Sequence, residues 1–174
     1  MRPVGDVRAE RFSMLFEESY GAIHAYACRR AGCGAADEIA AETFLVAWRK
    51  FDALPAEPLP WLYGVARNVV LRYHSDRGRQ QLTRAALLRE RSWSPLGVQD
   101  GGDSGLGEAW ERLSAADREV LALVAWEQLS VADAACALGC SAPVFSVRLH
   151  RARRRLERLL AAAGSLSTIE LSEA

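Results

Sequence analysis

The pattern between residues 130 and 160 restricts the fold more than any other stretch of the chain. A short segment with helical apolar spacing follows Ser130 and ends at Gly139, and a longer one begins only two residues later, after Ser141. Serine is a favoured helix N-cap, and glycine readily takes the left-handed conformation that ends a helix. The pattern therefore predicts a short helix, a tight turn and a long helix, which together form a helix-turn-helix.

The long helix carries its positive charge on one side. At about 100° per residue, Phe145, Leu149 and Ala152 share a core-facing direction with Leu156, Leu159 and Leu160. Arginines cluster on the opposite face, where like charges repel by roughly 0.2–0.5 kcal/mol per pair. Such a cluster indicates a polyanionic partner, and its place on a helix-turn-helix favours DNA phosphates. That opposite face carries Arg151, Arg154, Arg155 and Arg158.

Two valines near the start of the long helix point the same way as the arginines. Val144 and Val147 lie where a plain solvent-facing surface would be polar. Contact with thymine methyl groups in a major groove is one interpretation, and packing against a neighbouring helix is the other.

Helical spacing of apolar residues also occurs in the N-terminal half. One series covers residues 12–27 and a second covers 39–51, with Gly32 and Gly34 between them. Prolines 55, 58 and 60 precede a third helix, predicted from about Trp61 into an arginine-rich stretch. Residues 92–107 contain five glycines and little periodicity, which predicts a flexible linker. We therefore expect an all-α protein of two small helical domains.

The charge is segregated, although the formal net charge is zero. Residues 58–91 carry seven basic and two acidic side chains, residues 92–147 carry two and eight, and residues 148–158 carry six and one. Two basic blocks separated by an acidic stretch suggest two polyanion-facing surfaces. No apolar run approaches the roughly 18 residues of a membrane span, and the N-terminus lacks a secretory pattern. We expect a cytoplasmic protein without membrane insertion.

Four cysteines, at positions 28, 33, 136 and 140, lack the spacing of a zinc knuckle and are predicted to be reduced and partly buried. His24 and Cys28 lie one helical turn apart, so with Cys33 they leave a thiol- or metal-sensing helical adaptor as an alternative. The three histidines are scattered along the sequence, and the sequence has no phosphate-binding loop. We therefore expect a protein that is not an enzyme, and we assign it no cofactor and no metal site.

Three stretches, in this order, resemble bacterial sigma factors: ADEIAAETFLVAWRKF (36–51), PWLYGVARNVV (60–70) and the region from LSAADREV to RLHRARRRLERLL (113–160). The resemblance is to the extracytoplasmic-function (ECF) type of the sigma-70 superfamily. It implies a region 2 bundle at 9–91, a linker at 92–107, a region 4 helix-turn-helix at 108–162 and a tail at 163–174. A stand-alone helix-turn-helix regulator remains an alternative.

The resemblance also implies function and site residues. Such a protein binds core RNA polymerase, through the β′ clamp helices and the β flap, and directs transcription initiation at promoters with −10 and −35 elements. An anti-sigma factor is a further implied partner. The implied polymerase-binding residues are Asp37, Glu38, Glu42, Phe44 and Trp48. Those for the −10 element are Trp61, Arg67, Asn68, Arg72 and Tyr73. Those for the −35 element are Ser141, Val144, Val147, Arg148, Arg151, Arg154 and Arg155.

The chain departs from the family pattern at two places. Ser146 stands where relatives often carry a basic contact in the helix that recognises the −35 element. Ser75 and Asp76 interrupt the basic run of the third helix. Both departures predict promoter contacts that differ from those of typical relatives.

Overall fold

The chain divides into two helical units, Met1–Pro95 and Leu96–Ala174. The computed structural model describes the backbone of residues 4–84 and 104–170, and the side chains of 7–78 and 105–162. All regular structure in these ranges is helical, which confirms the predicted all-α class. The N-terminal unit contains α1 (Val4–Ala31), α2 (Cys33–Arg49), a short 3-10 turn (Phe51–Ala53) and α3 (Pro58–Arg84). The C-terminal unit contains α4 (Ser104–Glu111), α5 (Ala115–Ala125), α6 (Val131–Ala137) and α7 (Ala142–Glu170).

In the N-terminal unit, α1, α2 and α3 each pack against the other two. Their shared core includes Ile23, Ile39 and Leu62, none more than 1% exposed. Thr43 is also fully buried, and its hydroxyl donates to the carbonyl oxygen of Ile39 at 2.7 Å. A buried hydroxyl without a partner would be costly, so this bond lets Thr43 occupy a core position.

The predicted break between the first two helices lies at Gly32. Its φ of 84° belongs to the left-handed region, which glycine adopts without strain. Gly34, the second predicted break, lies inside α2 instead. The third helix begins at Pro58, three residues before the predicted start, because proline fits the first turn of a helix, where its missing N–H is not needed.

In the C-terminal unit, α7 packs against α4, α5 and α6. The predicted N-cap Ser130 is confirmed, because its Oγ accepts from the amide of Asp133 at 3.1 Å. Ser114 caps α5 in the same way, with its Oγ accepting from the amide of Asp117 at 3.1 Å. The predicted helix-turn-helix is also present. Gly139, with a φ of 62°, follows α6, and the bend of 98° from α6 to α7 falls within the range of this motif.

The ends of the predicted linker and tail differ from the observed helices. The predicted linker extends to residue 107, yet residues 104–107 form the first half of α4. Residues 92–103 lie outside the described residues. In the tail, the backbone of α7 continues as helix to Glu170. Within residues 4–84 and 104–170, no single helix is long and apolar enough to cross a membrane. The α6 helix and residues 142–162 meet that criterion only as a bent pair.

Candidate nucleic-acid interface and acidic helix face

The first turns of α7 separate a core face from an outward face. Phe145, Leu149 and Ala152 are at most 6% exposed and hold the helix against the rest of its unit. On the other side, Val144 is 43% and Val147 is 51% exposed, next to the exposed side chains of Arg148 and Arg151. These four residues have the spacing i, i+3, i+4, i+7 of one helix face, and we call them the recognition face.

The recognition face presents cations and apolar groups together. Arg148 and Arg151 make no ion pair with any described side chain, so their guanidinium groups remain available to a partner. Ser141 is exposed and precedes the helix, where its carbonyl oxygen accepts from the amide of Phe145 at 2.9 Å. The positive N-terminal end of α7 and two arginines suit phosphate, and the valines suit thymine methyl groups.

Arg155 differs from the arginines of the recognition face because it is bound within the unit. Its Nη1 lies 2.7 Å from Oδ2 of Asp117, at the start of α5. The same carboxylate oxygen accepts the hydroxyl hydrogen of Ser114 at 2.8 Å. Arg155 therefore connects α7 to the capped end of α5, a role that the helical pattern alone did not predict.

One side of α3 carries most of the residues predicted to contact the −10 element. Asn68 and Arg72 are exposed and Trp61 is half-buried, and all three lie within about 20° of one direction on the helix. Arg67 and Tyr73 flank that direction at about 120° on either side.

Tyr73 is half-buried and its hydroxyl accepts from Nη1 of Arg77 at 2.5 Å. The guanidinium group of Arg77 also lies 5.7 Å from the centre of the tyrosine ring. This places a second cation beside the aromatic residue. Tyr63, by contrast, is 4% exposed and packs against Tyr26 with 5.4 Å between ring centroids.

One side of α2 is exposed along the helix. We call it the α2 stripe, and it consists of four exposed residues at spacings of three and four: Glu38, Ala41, Leu45 and Trp48. The carboxyl groups of Asp37 and Glu42 lie at positions next to the stripe, so negative charge borders its apolar side chains. Leu45 is 47% exposed, and the sequence prediction missed it. Its position three residues before Trp48, outside the buried series of α2, was the available signal.

Phe44 does not belong to this surface, which corrects its assignment as a polymerase contact. Its ring is 3% exposed and packs against Phe16 at 4.7 Å between centroids. A side chain so deeply enclosed cannot reach a partner while the unit is folded. Trp48 is 37% exposed, and the guanidinium group of Arg8 lies 4.8 Å from its ring centre. Arg8 also donates to the carbonyl oxygen of Trp48 at 2.8 Å, which anchors this end of the stripe to α1.

Two residues predicted to serve different partners bind each other. Nη2 of Arg72 on α3 lies 2.6 Å from Oε1 of Glu42 on α2. Both side chains remain substantially exposed, at 60% and 43%. Asp37 likewise has partners on α1: it accepts from the hydroxyl of Tyr20 at 2.8 Å, and its Oδ1 lies 3.3 Å from Nε2 of His24. The hydrogen bond to Asp37, followed by burial, raises the pKa of Tyr20.

The metal-sensing alternative requires three ligands in one place. Among residues 4–84 and 104–170, no group of three histidine, cysteine, aspartate or glutamate residues is arranged to hold a metal ion. All four cysteines are free thiols.

Two family models match the chain, one in each unit. Sigma-70 region 2 matches residues 15–80, and Sigma-70, region 4 matches residues 105–156. Together they cover all of the surfaces described above. The chain therefore belongs to the sigma-70 family, and its relatives place it among the ECF sigma factors.

Individual relatives agree with the family assignment. The chain is 29% identical over 161 residues to the ECF RNA polymerase sigma factor BldN of Streptomyces coelicolor, covering 87% of this chain and 61% of the relative. It is 33% identical over 141 residues to the ECF RNA polymerase sigma factor SigD of Mycobacterium bovis, covering 74% and 65%. The chain thus spans less than two thirds of the length of these relatives.

A solved structure shares the fold. It is the sigma factor RpoE of Bartonella quintana, crystallised in complex with the anti-sigma factor NepR. The likeness has a TM-score of 0.66 at 26% sequence identity, and it covers 87% of this chain and 98% of RpoE.

Proposed function

We propose that this protein is a sigma factor that binds core RNA polymerase and directs it to promoters with particular −10 and −35 elements. The observation that carries the proposal is the recognition face of α7, in a chain whose other unit matches region 2. This face presents, on a helix-turn-helix, two exposed valines and two arginines that form no ion pair with a described side chain. A stand-alone regulator needs only the first of these, so the region 2 unit argues against that alternative. A sensing adaptor explains neither.

In the C-terminal unit, we assign duplex recognition of the −35 element to the recognition face. The start of α7 and Ser141 approach phosphate, and Arg148 and Arg151 approach base edges or backbone. Arg154 extends the cationic surface by one turn. Because Arg155 is held by Asp117, its role in this proposal is to fix α7 rather than to bind DNA.

In the N-terminal unit, we assign the −10 element to α3, with Trp61, Asn68 and Arg72 on one side of the helix and Arg67 and Tyr73 flanking them. Strand opening needs cations along the backbone and aromatic rings on which unstacked bases can pack. Arg67 and Arg72 supply the cations, Trp61 and Tyr73 supply rings, and Asn68 is exposed where its amide can meet a base edge.

The polymerase contact is assigned to the α2 stripe together with the carboxyl groups of Asp37 and Glu42. Carboxylates beside exposed apolar groups can meet a basic helical partner such as the β′ clamp helices. Leu45 joins Glu38 and Trp48 in this role, and the buried Phe44 is omitted. The β flap remains the proposed partner of the C-terminal unit.

The proposed protein acts without catalysing a reaction itself, in the cytoplasm where polymerase works. An anti-sigma factor is a further proposed partner. It is supported by the structure of the similar RpoE, which was solved in complex with such a factor.

The test is run-off transcription with the purified full chain and core RNA polymerase on genomic fragments. We expect new transcript starts that need the protein, and fewer of them with Glu38→Lys. Glu17→Lys makes the same charge change at an exposed position of α1 and serves as the matched control. A complete lack of protein-dependent starts, or equal loss with both variants, would contradict the proposal.

A further inference from the structure

Two cysteines lie on either side of the turn between α1 and α2. Cys28 lies in the last turns of α1, and Cys33 is the first residue of α2. The amide of Gly32 donates to the carbonyl oxygen of Cys28 at 3.0 Å, and the amide of Ala35 donates to that of Gly32 at 3.0 Å. These bonds fix the chain reversal, which returns the chain toward α1 at Cys33. A disulfide between these two cysteines would close the turn and needs Cα atoms about 4.4–6.8 Å apart.

The two thiols differ in access to solvent. Cys33 is exposed, whereas Cys28 is half-buried. Burial, followed by the hydrogen bond with Cys33, raises the pKa of the Cys28 thiol to about 11. Near neutral pH Cys28 is therefore protonated, and it needs a base before it can attack a sulfur atom.

A base lies beside Cys28. Its Sγ is 3.8 Å from Nδ1 of His24, and Nε2 of the same ring is 3.3 Å from Oδ1 of Asp37. When Nε2 carries the hydrogen that the Asp37 carboxylate accepts, Nδ1 presents a lone pair to the thiol. Cysteine, histidine and aspartate thus form a chain along which the Cys28 proton can move.

We propose that Cys28 and Cys33 form a dithiol site that closes to an intramolecular disulfide by exchange with low-molecular-weight disulfides. The thiolate of Cys33 attacks the small disulfide, forms a mixed disulfide and releases one small thiolate. The Cys28 thiol then gives its proton to Nδ1 of His24 and attacks the Cys33 sulfur, releasing the second small thiolate. The small disulfide is reduced to two thiols, and the two protein thiols are oxidised to one disulfide.

The second cysteine pair of the chain provides a matched comparison. Cys136 is exposed and Cys140 is half-buried, the same pattern of access as in the first pair. In the part of the chain that the structure describes, no histidine hydrogen-bonds to either of these thiols. The proposal therefore predicts faster disulfide formation at Cys28 and Cys33 than at the second pair.

The site lies at the start of the helix that carries the α2 stripe. A disulfide there would restrain the beginning of α2. The effect of this restraint on polymerase binding rests on the proposed function. The chemistry itself can be measured without polymerase or DNA, so a failure of either proposal can be told from a failure of the other.

The test treats the reduced full chain with oxidised glutathione, blocks the remaining thiols and digests the protein with trypsin. Cleavage after arginine places Cys28 in peptide 12–29 and Cys33 in peptide 31–49, while the second pair shares peptide 119–148. Mass spectrometry should show the 12–29/31–49 cross-link forming about tenfold faster than a disulfide within 119–148, because positioned proton transfer accelerates such steps. Equal rates, or no cross-link, would overturn the proposal.

Variants separate the two steps. Cys28→Ser should stop at a glutathione adduct on Cys33, and Cys33→Ser should abolish the cross-link. His24→Gln and Asp37→Asn should each slow closure of the mixed disulfide, by about tenfold for His24→Gln, and leave the first step unchanged. Circular dichroism checks that each variant is folded. Unchanged closure in both His24→Gln and Asp37→Asn would overturn the role of the histidine.

Discussion

The two units separate core from surface to different degrees. On α7, the buried residues Phe145, Leu149 and Ala152 alternate with a recognition face whose arginines have no partner in the described part of the chain. In the N-terminal unit, the surfaces proposed for polymerase and for DNA are joined to each other by the pair of Arg72 and Glu42. A single substitution in the C-terminal unit should therefore change one property, whereas one in the N-terminal unit can change two.

The largest expected effect tests the correction at Phe44 against its exposed neighbour Leu45. Phe44→Ala removes a buried ring and should lower the free energy of unfolding by roughly 3–5 kcal/mol, whereas Leu45→Ala should lower it by about 1 kcal/mol or less. Urea unfolding followed by circular dichroism measures both. Leu45→Ala should instead weaken binding to core polymerase. If the two variants are equally destabilised, Phe44 is not the core residue that its 3% exposure indicates.

The next largest effect is on promoter binding, and it tests the separation of the core face of α7 from its recognition face. Arg148→Ala and Arg151→Ala should each weaken binding of the polymerase complex to a promoter fragment by about tenfold, the expected loss for one good base or phosphate contact. Arg153→Ala is the control, since Arg153 is exposed on the same helix but lies about 140–160° away from these two arginines. Fluorescence anisotropy at one fixed salt concentration provides the measurement. A similar loss with Arg153→Ala would mean that only total charge matters.

Sequence reasoning predicted the C-terminal unit more closely than the N-terminal one, for a physical reason. In α7 the apolar and charged residues alternate at helical spacing, so direction on the helix placed Val144 and Val147 opposite the core. The structure then decides between the two interpretations of these valines, because both are exposed rather than packed against a neighbouring helix. In the N-terminal unit, the two aromatic residues of α2 lie only about 40° apart on the helix, yet one is buried and the other exposed. Periodicity placed Phe44 and Trp48 together, but only the packing of α1 on α2 determines which ring is enclosed. Contacts between helices, such as that of Arg155 with α5, depend on tertiary structure in the same way.

A smaller effect on stability is expected at Arg155, the arginine of α7 that pairs within its own unit instead of facing outward without a partner. Arg155→Ala should lower the free energy of unfolding by about 0.5–1 kcal/mol, the range of a partly exposed ion pair, and should change promoter affinity less than twofold. The companion variant Asp117→Asn should act similarly, and the double variant should cost less than the sum of the two. Loss of promoter affinity as large as with Arg148→Ala would return Arg155 to the DNA-binding set.

The smallest effect on stability tests the connection within the N-terminal unit. Because Arg72 and Glu42 are largely exposed, their coupling in a double-mutant cycle should be only about 0.2–1 kcal/mol. Their effects on binding should nevertheless be linked. Glu42→Gln releases Arg72 from its partner, so it should weaken polymerase binding while leaving or strengthening contact with promoter DNA. Arg72→Gln should weaken promoter opening and leave Glu42 free for polymerase.

A pair so weakly coupled in stability can exchange partners at little cost, which suits two residues that each face a second macromolecule. Affinity for core polymerase and promoter opening, measured separately for both single variants and the double variant, test this exchange. If each variant changes only its own partner's binding and the two effects add, the ion pair does not connect the surfaces. The N-terminal unit would then resemble the C-terminal one in the independence of its binding residues.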